Sequence, residues 1–269
     1  MRMCLSALLA ASFCVLTNGC ARSDSREPAP LDATQSAPVA PQVPSAEQIL
    51  QSMSRCYGDM QSAQVDVVET MSLDRTDSRD VASDRMTAAL ARPNRVLLAG
   101  ADAGVLFHAD GQHLWTVLDD RYSREPCPGS MALIADDPLR RSLLGLGSQF
   151  LLKLFGEDAR EALTRDVDSM VVLDDELLDG QLTRRLQFTQ PEFDWEMWVA
   201  VDQPRLIQQI VIDMSKQFGS GLSAGEDTRI TTTIRFQNWQ IDPKLAEAAF
   251  VFRPAEDAQR VEHVMGVGR

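Results

Sequence analysis

The sequence predicts an α+β fold built on a curved antiparallel sheet of roughly nine to eleven strands with three or four helices. Three observations carry this. In residues 193–202, Phe193, Trp195, Met197, Val199 and Val201 point one way and Asp194, Glu196, Ala200 and Asp202 the other, the period of a sheet with one face buried. Residues 206–214 repeat the pattern through Leu206, Ile210, Ile212 and Met214 after a turn at Gln203-Pro204, so the two segments pair as a hairpin. Between 139 and 155 the period changes: Leu139, Leu143, Leu146, Phe150 and Leu154 fall on one helical stripe.

The ends of the chain bound the folded part. Residues 1–19 begin with Arg2, continue through the apolar run 5–16 and end Thr17-Asn18-Gly19 before Cys20, the organisation of a secretory signal. The segment resembles a bacterial lipoprotein signal, which implies cleavage before Cys20 and lipid attachment there. Ala21 after that cysteine favours the outer membrane under the usual sorting rule. The alternative is ordinary cleavage and a soluble periplasmic product. Residues 20–44 carry Pro28, Pro30, Pro38, Pro41 and Pro44 without apolar periodicity and read as an extended tether on the order of 70 Å long. Residues 45–269 then form the folded domain. A net charge of −13, with no dense Lys/Arg stripe, excludes a phosphate-binding nucleic-acid surface.

Of the five cysteines, two leave with the signal and Cys20 is the candidate lipid site. Cys56 and Cys127 remain, and in an oxidising periplasm they read either as one disulfide or as two free thiols.

Ser45 caps a helix whose stripe is Ile49, Leu50, Met53 and Tyr57 and which Gly58 ends. A long strand follows through Ala63, Val65, Val67, Met71 and Leu73, with Glu69 as its misplaced charge. Strands are expected at 82–90, 95–98 and 105–108. Asp110-Gly111 turns the chain into Leu114, Trp115 and Val117, and 121–126 ends at Pro126-Cys127-Pro128-Gly129. In the helix at 139–155, Pro138 suits the first turn and Gly156 the end, while Gly145 and Gly147 each weaken it by about 1 kcal/mol. A second helix is expected at 157–163. Its apolar neighbour is either a movable lid, with Leu143, Leu146, Phe150 and Leu154 facing inward, or a plain cover for a sheet face. Asp179-Gly180 starts a further hairpin burying Leu182, Leu186 and Phe188; 217–227 is a Gly/Ser loop; 229–240 is the last long strand, burying Ile230, Ile234 and Phe236; an edge strand is expected at 250–252.

Residues able to do chemistry are scattered. His108 and His113 flank the Asp110-Gly111 turn but lack a third firm ligand, so an ordinary turn is expected rather than a metal site. The pairs Asp119-Asp120, Asp136-Asp137 and Asp174-Asp175 lack the spacing of a calcium loop. Gly145-Leu146-Gly147-Ser148 has no lysine for a phosphate loop, and Ser130 and Ser142 sit in no nucleophile elbow. The expectation is a protein without enzymatic activity, metal or cofactor.

The order Cys56-Tyr57, Arg92-Pro93-Asn94-Arg95, Asp110-Gly111, Leu114-Trp115, Phe193-Asp194-Trp195, Trp198, Pro204, Phe236, Trp239, Phe250, Phe252 and Pro254 is similar to a family of predicted periplasmic bacterial proteins of unknown function. That family is related in fold to the lipoprotein carrier and receptor LolA and LolB. The similarity spans residues 46–261. It implies an incomplete antiparallel barrel with helices on its concave side and an apolar interior. Trp195, Met197, Val199, Ile210, Ile212 and Phe236 are the expected lining of a cavity for acyl chains, under the helix of Leu143, Leu146, Phe150 and Leu154. The leading expectation is an envelope domain that binds a lipid or lipidated protein and is held to the membrane by its N-terminal anchor. The alternative is a structural or signalling module that meets a protein partner through its sheet or helix surface.

Overall fold

Ala63, Val65 and Val67 are buried while their neighbours stay half-exposed, and this alternation sets the inner face of the central strand, β1 (Ser62–Asp74). In the computed structural model, residues 43–100, 105–156, 158–202, 204–218 and 228–264 are described. The signal, Cys20 and nearly all of the tether lie outside them, as does most of the Gly/Ser loop.

β1 is followed by β2 (Arg79–Ala91), β3 (Arg95–Gly100), β4 (Val105–Asp110), β5 (His113–Leu118) and β6 (Arg121–Pro126), a meander of adjacent antiparallel pairs. After four helices come β7 (Ser169–Leu178), β8 (Gln181–Thr189), β9 (Asp194–Ala200), β10 (Ile207–Asp213) and β11 (Arg229–Ile241). β11 closes onto the other side of β1, with Val67 opposite Phe236 and Thr70 opposite Thr233. A two-residue strand, β12 (Gln259–Arg260), lies parallel to β6. The sheet thus has 12 strands in the order β12-β6-β5-β4-β3-β2-β1-β11-β10-β9-β8-β7 and is not closed by a β12–β7 pair. It is the expected incomplete barrel.

One apolar core runs from Leu114 on β5 to Phe188 on β8 and takes in the helices. Helix α1 (Ala46–Asp59) starts with a capping box: Ser45 Oγ accepts from the Gln48 amide at 3.3 Å and Gln48 Oε1 accepts from the Ser45 amide at 2.9 Å. It buries Ile49, Leu50, Met53 and Tyr57, the predicted stripe. Helix α2 (Met131–Asp136), which the sequence reading missed, is capped by Ser130.

The single helix expected over 139–155 is two: α3 (Pro138–Leu143) and α4 (Leu146–Gly156). The break at Gly145 has a tertiary cause. The Glu69 carboxylate reaches from β1 to accept the Gly147 amide at 3.1 Å, which caps a new helix start with a negative charge. A Cβ at Gly145 would come within 2.7 Å of Glu69 Oε2, and one at Gly147 within 2.6 Å of Val67 Cγ1. These glycines are where α4 touches the sheet. Helix α5 (Ala159–Thr164), expected at 157–163, is capped by Asp158, which also accepts from Ser54 on α1 at 2.7 Å. A short α6 (Ser215–Phe218) follows β10. The expected edge strand at 250–252 is instead the end of a 3₁₀ turn, Glu247–Phe250, whose Phe250 packs on Ala89 and Ala91.

Candidate apolar ligand groove

Helix α4 has two different ends. Its C-terminal end is sealed. Phe155 is buried and meets Tyr57 edge-on at 5.8 Å, and the Arg92 guanidinium lies 5.7 Å over the same ring. Arg92 Nε and Nη2 donate to the Met60 and Tyr57 carbonyls at 2.9 and 3.0 Å, so the turn between β2 and β3 satisfies the C-terminus of α1. The Tyr57 hydroxyl accepts from the Ile207 amide at 3.2 Å, and Trp239 Nε1 donates to the Ile207 carbonyl at 3.1 Å. Complete burial holds the Tyr57 phenol in its protonated form, well above its ordinary pKa. Asn94 Nδ2 ties the neighbouring turns by donating to the Pro128 carbonyl at 2.8 Å. Cys56-Tyr57, Arg92, Asn94 and Trp239, which carried the family resemblance, are therefore architectural here.

The other end of α4 stands over a groove of ≈ 210 Å³. Its floor is Trp195 and Ile212 on the sheet with Leu163 from α5, all buried. Its walls are half-buried Leu146, Phe150, Phe193 and Met214. Trp195 stacks on Phe188 with ring centres 3.9 Å apart and meets Phe150 at 5.9 Å. Polar groups enter from one side, with Gln149 and Lys153 on α4, Arg165 after α5, and Gln190. The Trp195 Nε1–H is buried and has no hydrogen-bond acceptor among the described residues. That is an uncompensated buried donor.

The structure divides the predicted site residues. Trp195 and Ile212 line the groove beneath Leu146 and Phe150. Met197, Val199, Ile210 and Phe236 do not; they are buried in the packed core against the helices. Leu154 is also core, and Leu143 borders two smaller cavities of ≈ 50 and ≈ 120 Å³. The reading missed Gln149, Lys153, Leu163 and Arg165, although Leu146, Gln149, Phe150 and Lys153 follow the spacing of one helical face.

The expected Cys56–Cys127 disulfide is not formed. Both are free thiols. Cys56 lies in the last turn of α1, while Cys127 Sγ faces the Asn94 carbonyl at 3.6 Å. Burial pushes both thiol pKa values up, which disfavours the reactive thiolate. The turn at Asp110 is an ordinary one: Asp110 Oδ1 accepts from the Gln112 and His113 amides, each at 2.7 Å. His108 is buried beside Phe252. Among the described residues no three His, Cys, Asp or Glu side chains are placed to share a metal ion, and no helix is long and apolar enough to cross a membrane.

Residues 46–264 match the family described as predicted periplasmic protein (DUF2092), and the chain belongs to that family. None of the curated proteins matches the chain. Among solved structures it is similar to an uncharacterized conserved protein from Thermus thermophilus, at 11% identity and a TM-score of 0.46, over 80% of this chain and 98% of that one. It is also similar to the Mycobacterium tuberculosis lipoprotein LppX, at 16% identity and a TM-score of 0.37, over 75% and 98% of the two chains. A LolA superfamily protein from Nitrosomonas europaea shows 14% identity and a TM-score of 0.33, over 78% and 99%.

Proposed function

We propose that this protein is a non-catalytic envelope domain that takes the apolar part of a lipid or lipidated protein into the groove beneath α4. The observation that carries this reading is the aromatic-walled groove at Phe150, Phe193 and Trp195, larger than the two cavities that Leu143 borders. Burying an acyl chain there is favourable by about 0.8 kcal/mol for each methylene removed from water. In the same reading Cys20 carries the lipid anchor and residues 21–44 give the domain its reach from the outer membrane. An anchored domain receives cargo rather than shuttling it, so a receptor-like role fits better than a soluble carrier.

Native mass spectrometry of the chain recovered from the envelope tests the binding. Co-purified mass resolving into acyl-chain spacing supports it, and a bare protein that takes up no amphiphile overturns it. Metabolic labelling with a palmitate analogue tests the anchor, with loss of label expected in Cys20→Ala.

A second reading has its own observation. Edge strand β7 leaves Val171 51% and Leu177 69% exposed, with Leu182 exposed opposite Leu177, and an open edge with apolar side chains is a ready template for an added strand. Under that reading Leu177→Lys abolishes capture of a protein partner and leaves lipid uptake intact.

A further inference from the structure

We infer that a second, polar cleft on the outer face of the sheet binds a neutral, hydroxyl-rich chain, an oligosaccharide segment, through the amides of Gln181, Gln208 and Gln237. The cleft shares no residue with the groove beneath α4, so the inference does not rest on the lipid reading.

The position of the cleft comes first. On β11 the side chains alternate: Ile234 and Phe236 are buried in the core, so Arg235 and Gln237 lie on the opposite face. Arg235 reaches two neighbours there. Its Nε donates to Gln209 Oε1 on β10 at 3.2 Å, and its Nη1 donates to Asp179 Oδ2 at 3.2 Å. Asp179 belongs to the turn between β7 and β8, so this ion pair draws that turn toward β11 and walls a cleft of ≈ 480 Å³. Pockets that enclose a small ligand run to roughly 300–1,000 Å³.

The floor comes second. The β9–β10 ladder slips between Ile207 and Gln209, a bulge that sets an additional side chain, Gln208, beside Gln209. On the adjacent strand the β1–β11 ladder slips between Gln64 and Asp66, and there Asn238 takes a φ of 56° and donates to Asp66 at 2.8 Å. Gln208 and Asn238 both line the cleft. A bulge gives up ladder pairing and re-aims a side chain, and bulges are over-represented beside functional sites.

The chemistry comes third. Gln208 and Gln237 are half-buried and Gln181 is exposed, and among the described residues none of these three side-chain amides has a hydrogen-bond partner. The charged residues of the lining, Arg235 and Asp179, are paired with each other. Unpaired amides without net charge suit a neutral ligand that both donates and accepts. Each amide offers an oxygen and two N–H donors, and each hydroxyl is donor and acceptor at once. Half-buried Leu178 supplies an apolar patch for the C–H face of a sugar ring. A peptide is disfavoured because β10 and β11 are each paired on both sides, which leaves the floor no open strand edge for main-chain pairing.

The test is isothermal titration of the full chain with maltotriose, with triacetylchitotriose and with a blocked Gly-Ser hexapeptide, all neutral. At least one trisaccharide is expected to bind, and the peptide is not. The double variant Gln208→Glu with Gln237→Glu keeps the size of both side chains and removes their N–H donors. It should weaken trisaccharide binding about twentyfold, the loss of two hydrogen bonds at about fivefold each. Gln181→Ala, at the exposed turn, should weaken it about fivefold. A cooperative urea transition in each variant reports an intact fold. Failure of both trisaccharides to bind, or binding that survives these substitutions, overturns the inference and leaves the lipid reading untouched. Tighter binding of the hexapeptide overturns the oligosaccharide assignment.

Discussion

Five residues apart on α4, Phe155 and Phe150 sit in opposite surroundings. Phe155 is sealed between Tyr57 and the Arg92 guanidinium, where the neighbouring polar atoms go to backbone partners at 2.9 to 3.2 Å. Phe150 is half-buried against Trp195, whose buried indole N–H has no acceptor among the described residues, and it walls the groove. One helix thus clamps the fold at one end and roofs a space at the other. Buried polar groups that are fully paired specify a unique packing, whereas a half-buried ring over a groove leaves room for another apolar group. The difference separates residues kept for architecture from residues available for binding.

Truncating each ring in turn probes this contrast most severely. Phe155→Ala is expected to cost about 3–5 kcal/mol of stability in urea denaturation, the cost of a cavity that its rigid neighbours cannot close. Phe150→Ala, with one side already open to solvent, is expected to cost less than about half as much and to weaken amphiphile uptake instead. Equal destabilisation by the two would mean that the groove end is as tightly packed as the clamp.

Next in size is the clamp's buried hydrogen bond. Tyr57→Phe keeps the ring but removes the acceptor of the Ile207 amide, and a buried amide losing its partner costs about 1–3 kcal/mol. The denaturation midpoint should fall while amphiphile uptake stays unchanged. Gly147→Ala tests the contact between roof and sheet. A new Cβ would lie 2.6 Å from Val67 Cγ1 and 2.9 Å from Ile234 Cγ2. The strain of overpacking, about 1–3 kcal/mol, is expected to exceed the gain of about 1 kcal/mol in helix propensity. A more stable Gly147→Ala variant would show that α4 lifts away from the sheet without cost.

The sheet was legible because side-chain period reports faces directly: Trp195, Met197 and Val199 are buried together as their alternation required, although Trp198 and Ala200 on the opposite face are buried too and Met71 and Leu182, expected inside, are exposed. Periodicity does not say whether a buried face meets a ligand or a helix. Met197, Val199, Ile210 and Phe236 look the same in sequence as Trp195 and Ile212, and only the position of α4 and α5 separates core from groove. The break between α3 and α4 was illegible for a related reason. Leu139 to Leu154 keep a helical period across it, and the residue that splits the helix, Glu69, lies on a strand far away in the chain. Strand β12, two residues long, carries no pattern of its own and exists through its pairing with β6. Lys153 could have been found from its place on the Leu146-Gln149-Phe150 face, whereas Arg165 follows α5 and owes its place to how that helix docks.

The weakest effect concerns Glu69, where the roof is capped. Burial is the main influence on its carboxyl and raises the pKa above the ordinary 4.5; the Gly147 amide partly offsets this, and Asp84 adds to the rise. A raised carboxyl means that the folded chain holds the proton more tightly than the unfolded one. Its contribution to stability is therefore fully present below the unfolded value and lost as pH rises through the folded one. Asp110, Asp158, Asp175 and Asp213 are all lowered from the ordinary 3.8, so their stabilisation is complete above that value and fades only in stronger acid. His108, lowered from 6.5 by burial, works against Glu69, since the neutral imidazole is favoured in the fold and stability from it grows toward pH 6.5. Comparing wild type with Glu69→Gln cancels the histidine. Glutamine keeps an acceptor for the Gly147 amide without a charge to desolvate, so the variant should match wild type to within about 1 kcal/mol at pH 7.5. Between pH 7.5 and pH 5, urea denaturation should show wild type gaining stability relative to Glu69→Gln. An unchanged difference across that range would mean that the cap is fully solvated, and that the roof is as open at Glu69 as it is at Phe150.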